Sequence, residues 1–224
     1  AREFPTTNFE PFRYFGPKVV WKNISSPHNP MYDSKGRVWL TMASRGPQNP
    51  SWCVDPAENS FAAYFPLKQG GKQTGYFDTK TGKFEFVQTC VRTHHLQFGH
   101  DKDNTVYFNT PGGETVGWVN TRVWDETHDA KKANGWGPTG RDSNGDGRIT
   151  KPWNEPRGPF DPKLDTRFRG DAYAVIPSPV DDSIWGAPDE HPGKIFRLVK
   201  GANPPETCMA EVYEIPPDKG YRAR

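Results

Sequence analysis

Six histidines are spread over 224 residues, and three of them stand where a repeat would bring them together. His28 precedes Asn29, His94 and His95 are adjacent and lead to Gln97, and Tyr173 opens a third stretch of similar form. Imidazole titrates near neutrality and serves as base or metal ligand, and Asn or Gln amides orient carbonyl groups. His28, His94, His95 and Tyr173 are therefore the candidate catalytic or ligand-binding set. A structural role is the alternative, because buried polar side chains usually hydrogen-bond neighbouring backbone. His100, in a turn, and His128, in a helical segment, read as bystanders.

A second constellation is Asp142-Ser143-Asn144-Gly145-Asp146-Gly147-Arg148. Oxygen donors at alternate positions followed by a turn glycine wrap a hard cation, here calcium. Asp142, Asn144 and Asp146 would supply side-chain oxygens and Arg148 its carbonyl. Trp153 stands where an EF-hand carries its closing glutamate, and Pro152 and Pro156 argue against a regular exiting helix. Glu155 is the nearest acid to close the site, with Asp161 and Asp165 as alternatives. A metal-free Asx turn is the plainer possibility.

A repeat is what would position these residues. Residues 27–41, 95–109 and 173–186 each read as a short strand, a tight polar turn and a second strand with an aromatic: Trp39, Tyr107, Trp185. A further strand follows, with Tyr76, Trp118 and Phe196. Tyr107 to Trp118 and Trp185 to Phe196 are each 11 positions, whereas Trp39 to Tyr76 is 37, an insert of 26. Trp39 and Tyr107 lie 68 apart, which leaves a unit of 42 once the insert is removed. A period of about 40–45 with four short strands predicts an all-β chain, a β-propeller, with three clear four-stranded blades. Residues 18–21 read as the outer strand of a partial preceding blade. Propellers close with about 4–8 blades, so missing sequence or another chain is expected to complete the ring.

The chain thus reads as one propeller domain or a portion of one over 1–224, with inserts at about 44–70 and 122–168 and a helical segment over 122–133. Long inserts are usually functional or interfacial, and Trp52, Trp136 and Trp153 within them read as available to a surface. The 22 glycines, 23 prolines and hydrophobic fraction of 33% suit many short strands. A net charge of +2 with no basic run argues against nucleic acid, and no apolar stretch approaches a membrane span. The start at Ala1 reads as a processed mature chain or a piece of a longer one.

Of three cysteines, Cys53 and Cys90 lie in connections that emerge on the same face of alternating strands. They are expected to form a disulfide, which implies an oxidising, periplasmic or extracellular compartment and leaves Cys208 out; two unpaired thiols in a reducing cell are the alternative.

The units Asp-x-x-Gly-x-Val-Trp-Leu-Thr (33–41) and Gly-x-Phe-Asp-x-Lys-Thr-Gly-Lys-Phe (75–84) resemble the propeller repeats of virginiamycin B (streptogramin) lyase. The long inserts and His94-His95 in a Thr-His-His-Leu-Gln-Phe context look closer to large secreted bacterial relatives than to the lyase itself. The resemblance implies the fold more strongly than the activity. Family lyases open a macrocyclic lactone by elimination, with a histidine base and a magnesium ion at one mouth of the propeller. Two functions follow as expectations. One is a secreted, calcium-stabilised binding and assembly module that meets a partner chain or ligand through its inserts and channel mouth. The other is a metal-assisted lyase or hydrolase with a His-rich site. Incomplete blade closure and the long inserts favour the module, and no acid pair, nucleophile elbow or cofactor fingerprint stands out to decide for the enzyme.

Overall fold

The computed structural model describes residues 26–110 and 115–219. The strand expected at residues 18–21 lies outside them. Three four-stranded antiparallel sheets follow one another, each in simple chain order. The first holds β1 (His28–Tyr32), β2 (Val38–Met42), β3 (Gln73–Asp78) and β4 (Lys83–Val87). The second holds β5 (Leu96–Phe98), β6 (Val106–Asn109), β7 (Thr115–Val119) and β8 (Asn134–Pro138). A two-stranded ribbon of β9 (Gly140–Arg141) and β10 (Thr166–Arg167) comes next, before β11 (Ala172–Pro177), β12 (Ile184–Pro188), β13 (Lys194–Val199) and β14 (Met209–Glu214). The helices are short: α1 (Ser60–Tyr64), α2 (Thr121–Thr127) and α3 (Ala130–Ala133). Among the described residues no helix is long and apolar enough to cross a membrane.

One device closes the first hairpin of each four-stranded sheet. An aspartate accepts backbone N–H bonds from the residues just after it, the Asx turn that folds a chain back on itself. Asp33 takes those of Lys35 and Arg37, both at 2.9 Å. Asp101 takes those of Asp103 and Thr105, and Asp181 that of Ser183.

Alternation along the strands then gives each sheet two working faces. Trp39 and Tyr76 of the first sheet pack against Leu96, Phe98, Val106 and Phe108 of the second. The opposite face of the second sheet, with Tyr107, Val116 and Trp118, packs against Val175, Ile184 and Phe196 of the third. Each such side chain contributes about 1.5–3 kcal/mol by leaving water. Arg37 and Asp125 add a polar tie between the first hairpin and α2, at 2.5 Å, while Arg37 also grips the buried Asp33 at 2.6 Å.

The structure corrects three expectations. Phe196 is not the counterpart of Tyr76 and Trp118: Trp185 pairs with Arg197, and Phe196 stands opposite Gly186 on the other face. A shift of one residue in a strand reverses the face, and the missing Cβ of Gly186 makes the room Phe196 fills. Next, residues 122–168 are not one excursion, because β8 lies inside them as the fourth strand of the second sheet. Its sequence, Asn-Gly-Trp-Gly-Pro, lacks strand propensity, yet all five residues are buried, Gly135 directly against the Trp118 ring. Lastly, Trp136 and Trp153 are buried rather than available. Trp136 Nε1 donates to the carbonyl of Phe65, which seals the first insert onto β8 beside the Cys53–Cys90 disulfide. Cys208 is free and buried.

One face stands apart. Val38 pairs with Phe77 across the first sheet as Val106 pairs with Val119 and Ile184 with Leu198 in the others. The latter two pairs are fully buried against the preceding sheet. The Val38–Phe77 pair instead opens on an apolar cavity of about 560 Å³ with Leu40, Met42, Phe84 and Phe86. Phe84 and Phe86 remain 57% and 55% exposed.

Candidate functional site

The first strands of the sheets, β1, β5 and β11, lie side by side. Residues at their starts converge, and all four predicted members of the histidine set meet. The His28 ring stacks on His94 with centroids 4.7 Å apart, His94 meets His95 at 4.2 Å, and His95 meets Tyr173 at 4.6 Å.

Local backbone irregularities aim these side chains. The β1–β2 ladder slips between His28 and Met31, where Asn29 adopts a left-handed φ of 49°, and the β11–β12 ladder slips between Ala172 and Val175. Slips of this kind turn side chains off the regular alternation. Three polar residues hold the result. Asn29 Oδ1 accepts from the backbone N–H of Leu96 at 2.6 Å. Asn109 accepts from the N–H of His95 at 2.6 Å and donates to the carbonyl of Ala172 at 2.8 Å. The Thr41 hydroxyl lies against the carbonyl oxygens of both His94 and His28. Asn29 thus serves the backbone rather than a ligand. Thr41 and Asn109 were missed in the sequence, although each stands two positions after its repeat aromatic, Trp39 and Tyr107.

The hydrogen bonds settle the tautomers. His95 Nδ1 lies 2.8 Å from the carbonyl oxygen of Tyr173, which only accepts, so Nδ1 carries the proton and Nε2 the lone pair. His28 Nε2 stands 3.2 Å from that lone pair and donates to it. Burial lowers His94, helped by the neighbouring His95 and His28 and by Lys72 and Arg92, to a pKa of about 4. Burial, with His95 and Lys72, also lowers His28. Nδ1 of His94 is buried without a hydrogen-bond partner. Beside it lies a cleft of about 280 Å³ lined by Lys72, Arg92, His94, Asp171, Tyr173 and Asp189, among others. His100 is exposed, and His128 lies 3.8 Å from Glu85.

In the oxygen-rich loop, Asp142 accepts from the backbone N–H groups of Gly145 at 2.7 Å and Gly147 at 2.9 Å, and Gly147 sits at a φ of +82°. Asn144 Oδ1 accepts from the Asp146 N–H, and the Arg148 guanidinium bonds Glu206. Asp142, Asp146 and Asp165 each bring a carboxylate oxygen within 4.8 Å of the others. Asp165 is 1% exposed; its Oδ2 accepts from the N–H of Thr150, while Oδ1 is buried with no partner. Glu155, the closing acid expected from the sequence, is held elsewhere, by Trp153 Nε1 at 2.8 Å and Arg167 Nε at 2.9 Å. The bridge between Asn154 and Thr166 folds the segment back, so Asp165, one residue before β10, reaches the loop instead.

The two clusters suit different ions. Magnesium, implied by the lyase resemblance, demands near-octahedral oxygen ligands, and three imidazoles do not fit it. The loop with Asp165 offers the hard oxygens calcium takes. No family model, curated protein or solved structure matches the chain.

Proposed function

We propose that the three four-stranded sheets are consecutive blades of a β-propeller and that the chain is a secreted binding and assembly module. The observation that carries this is the Val38–Phe77 face, whose repeat equivalents are both covered by a preceding sheet. Its occupant is a further sheet of the same repeat, supplied by a second copy of the chain. The third sheet turns outward Trp185, the counterpart of Trp39, stacked on Tyr213 at 5.8 Å. Two such head-to-tail contacts make a closed ring of six sheets, within the range of about 4–8 blades. Likeness to the streptogramin lyase repeats supports the fold, the Cys53–Cys90 disulfide supports an oxidising compartment, and calcium at Asp142, Asn144, Asp146 and Asp165 stiffens the excursion between β8 and β11.

The ligand site is the histidine mouth. A metal-assisted lyase or hydrolase is the second reading, favoured by the unpartnered His94 nitrogen beside the cleft. A group with a pKa of about 4 is a weak base at neutral pH, so His94 suits ligand binding better than proton abstraction.

Sedimentation of the purified chain tests the assembly. The expected result is association beyond the 25.3 kDa chain, reversed by Phe84→Glu with Phe86→Glu without loss of melting temperature. A wild type that stays at the mass of one chain at all concentrations overturns it.

A further inference from the structure

We infer that His28, His94 and His95 bind a divalent transition-metal ion of the zinc class, whose remaining coordination position opens on the cleft lined by Lys72 and Arg92 and takes an anionic ligand. This rests on the histidine mouth being the ligand site, and is independent of how the ring closes.

The donor set selects the ion. Imidazole nitrogens suit zinc, copper, nickel or cobalt, whereas magnesium and calcium take oxygens. The geometry fits as well. Two nitrogens bound at about 2.0–2.1 Å to a tetrahedral ion stand about 3.3 Å apart, and His28 Nε2 and His95 Nε2 are 3.2 Å apart. All three rings offer a nitrogen within 4.8 Å of the others, so His94 closes by about 1.5 Å at most.

Second contacts are in place. His95 donates Nδ1–H to the carbonyl of Tyr173, which leaves Nε2 as ligand; metal-bound histidines are oriented in just this way. The two facing Nε2 atoms share a single proton, on His28. Metal binding moves that proton to His28 Nδ1 and frees the second lone pair, with no net change in protons. The unpartnered Nδ1 of His94 shows that this ring is not committed to a full set of protein hydrogen bonds.

Charge then defines the remaining ligand. Lys72 and Arg92 line the cleft with His94, and the other charged groups of its lining, Asp171 and Asp189, already have partners. Lys72 and Arg92 therefore favour an anion, such as a carboxylate, that neutralises the ion and meets both side chains.

Cobalt(II) is the probe, because tetrahedral nitrogen coordination gives it strong visible absorption. The wild-type chain is expected to bind one cobalt ion with that spectrum, to be displaced by zinc, and to melt at a higher temperature when loaded. His95→Gln and His28→Asn are expected to weaken binding by on the order of 100-fold while keeping the far-ultraviolet spectrum of the metal-free chain. Asp142→Asn with Asp146→Asn should leave cobalt binding unchanged. Azide, a small anion, should shift the cobalt bands, and Lys72→Ala with Arg92→Ala should weaken that shift about tenfold. Absence of cobalt binding at micromolar concentration overturns the metal site, as does binding that survives both histidine changes. An azide-insensitive spectrum overturns the anionic ligand. The same titration on the Phe84→Glu, Phe86→Glu chain separates this outcome from failure of the assembly.

Discussion

The carboxylates of Asp142 and Asp165 come within 4.8 Å of each other although 23 positions separate them in the chain. Asp165 is enclosed, and its Oδ1 has no protein partner. A buried acceptor left unmet costs about 1–3 kcal/mol, so something that binds oxygen there is favoured.

Calcium is expected to raise the melting temperature of the intact chain. At a concentration about 100 times its dissociation constant it should add about 2.7 kcal/mol. Asp165→Asn should weaken binding tenfold or more, yet leave the calcium-free chain as stable or more stable, because a buried charge is removed. Calorimetry that finds no calcium binding at millimolar concentration would reduce the loop to an Asx turn.

Arg37 should be the costliest surface-proximal residue to truncate. Burial opposes its charge, but Asp125 and Asp33 outweigh this and hold its pKa above the usual value. Arg37→Ala leaves the fully enclosed Asp33 side chain without its cation, and should lose about 3–5 kcal/mol in denaturant unfolding. Asp125→Asn should cost less, since Asp33 keeps its partner.

The Cys53–Cys90 bond spans 37 positions. Closing a loop of that length restricts the unfolded chain, so Cys53→Ala with Cys90→Ala should lower stability by about 2–4 kcal/mol. Equal stability of the oxidised and doubly substituted chains would contradict this.

Cys208 should resist thiol reagents at pH 8 and react only after unfolding. Burial pushes its thiol up to about 12, against a smaller downward pull from Lys200. The neutral thiol is therefore favoured in the folded state. Its contribution is complete below the ordinary thiol pKa of about 9, that of the unfolded chain, and is lost as pH rises toward 12. Between those values the stability of the wild type relative to Cys208→Ala should fall, by at most about 1.4 kcal/mol per pH unit.

Much of the architecture was legible locally. Turn aspartates 33, 101 and 181, alternating strands and the repeat aromatics act within a few residues of themselves, so their pattern survives in the linear chain. Strand direction placed Cys53 and Cys90 on one face, which made their pairing the favoured expectation, and the structure bonds them. The meeting of His28, His94, His95 and Tyr173 was legible for the same reason: equal places in repeated units become one place in space.

Other features depended on contacts between distant segments. β8 is a strand because Trp118 leaves room only for Gly135 and the first insert covers Trp136, neither of which its own five residues announce. Phe196 changed face because a ladder register one residue out is invisible to spacing counts. Asp165 displaced Glu155 because the fold of the segment before β10, not distance along the chain, selects the acid that reaches the loop. The sequence by itself determined the repeat, its turns, its disulfide and the chemical types at each candidate site. Only the tertiary structure decided which donors share a space and which are already occupied, because burial and hydrogen-bond partners belong to the packed chain.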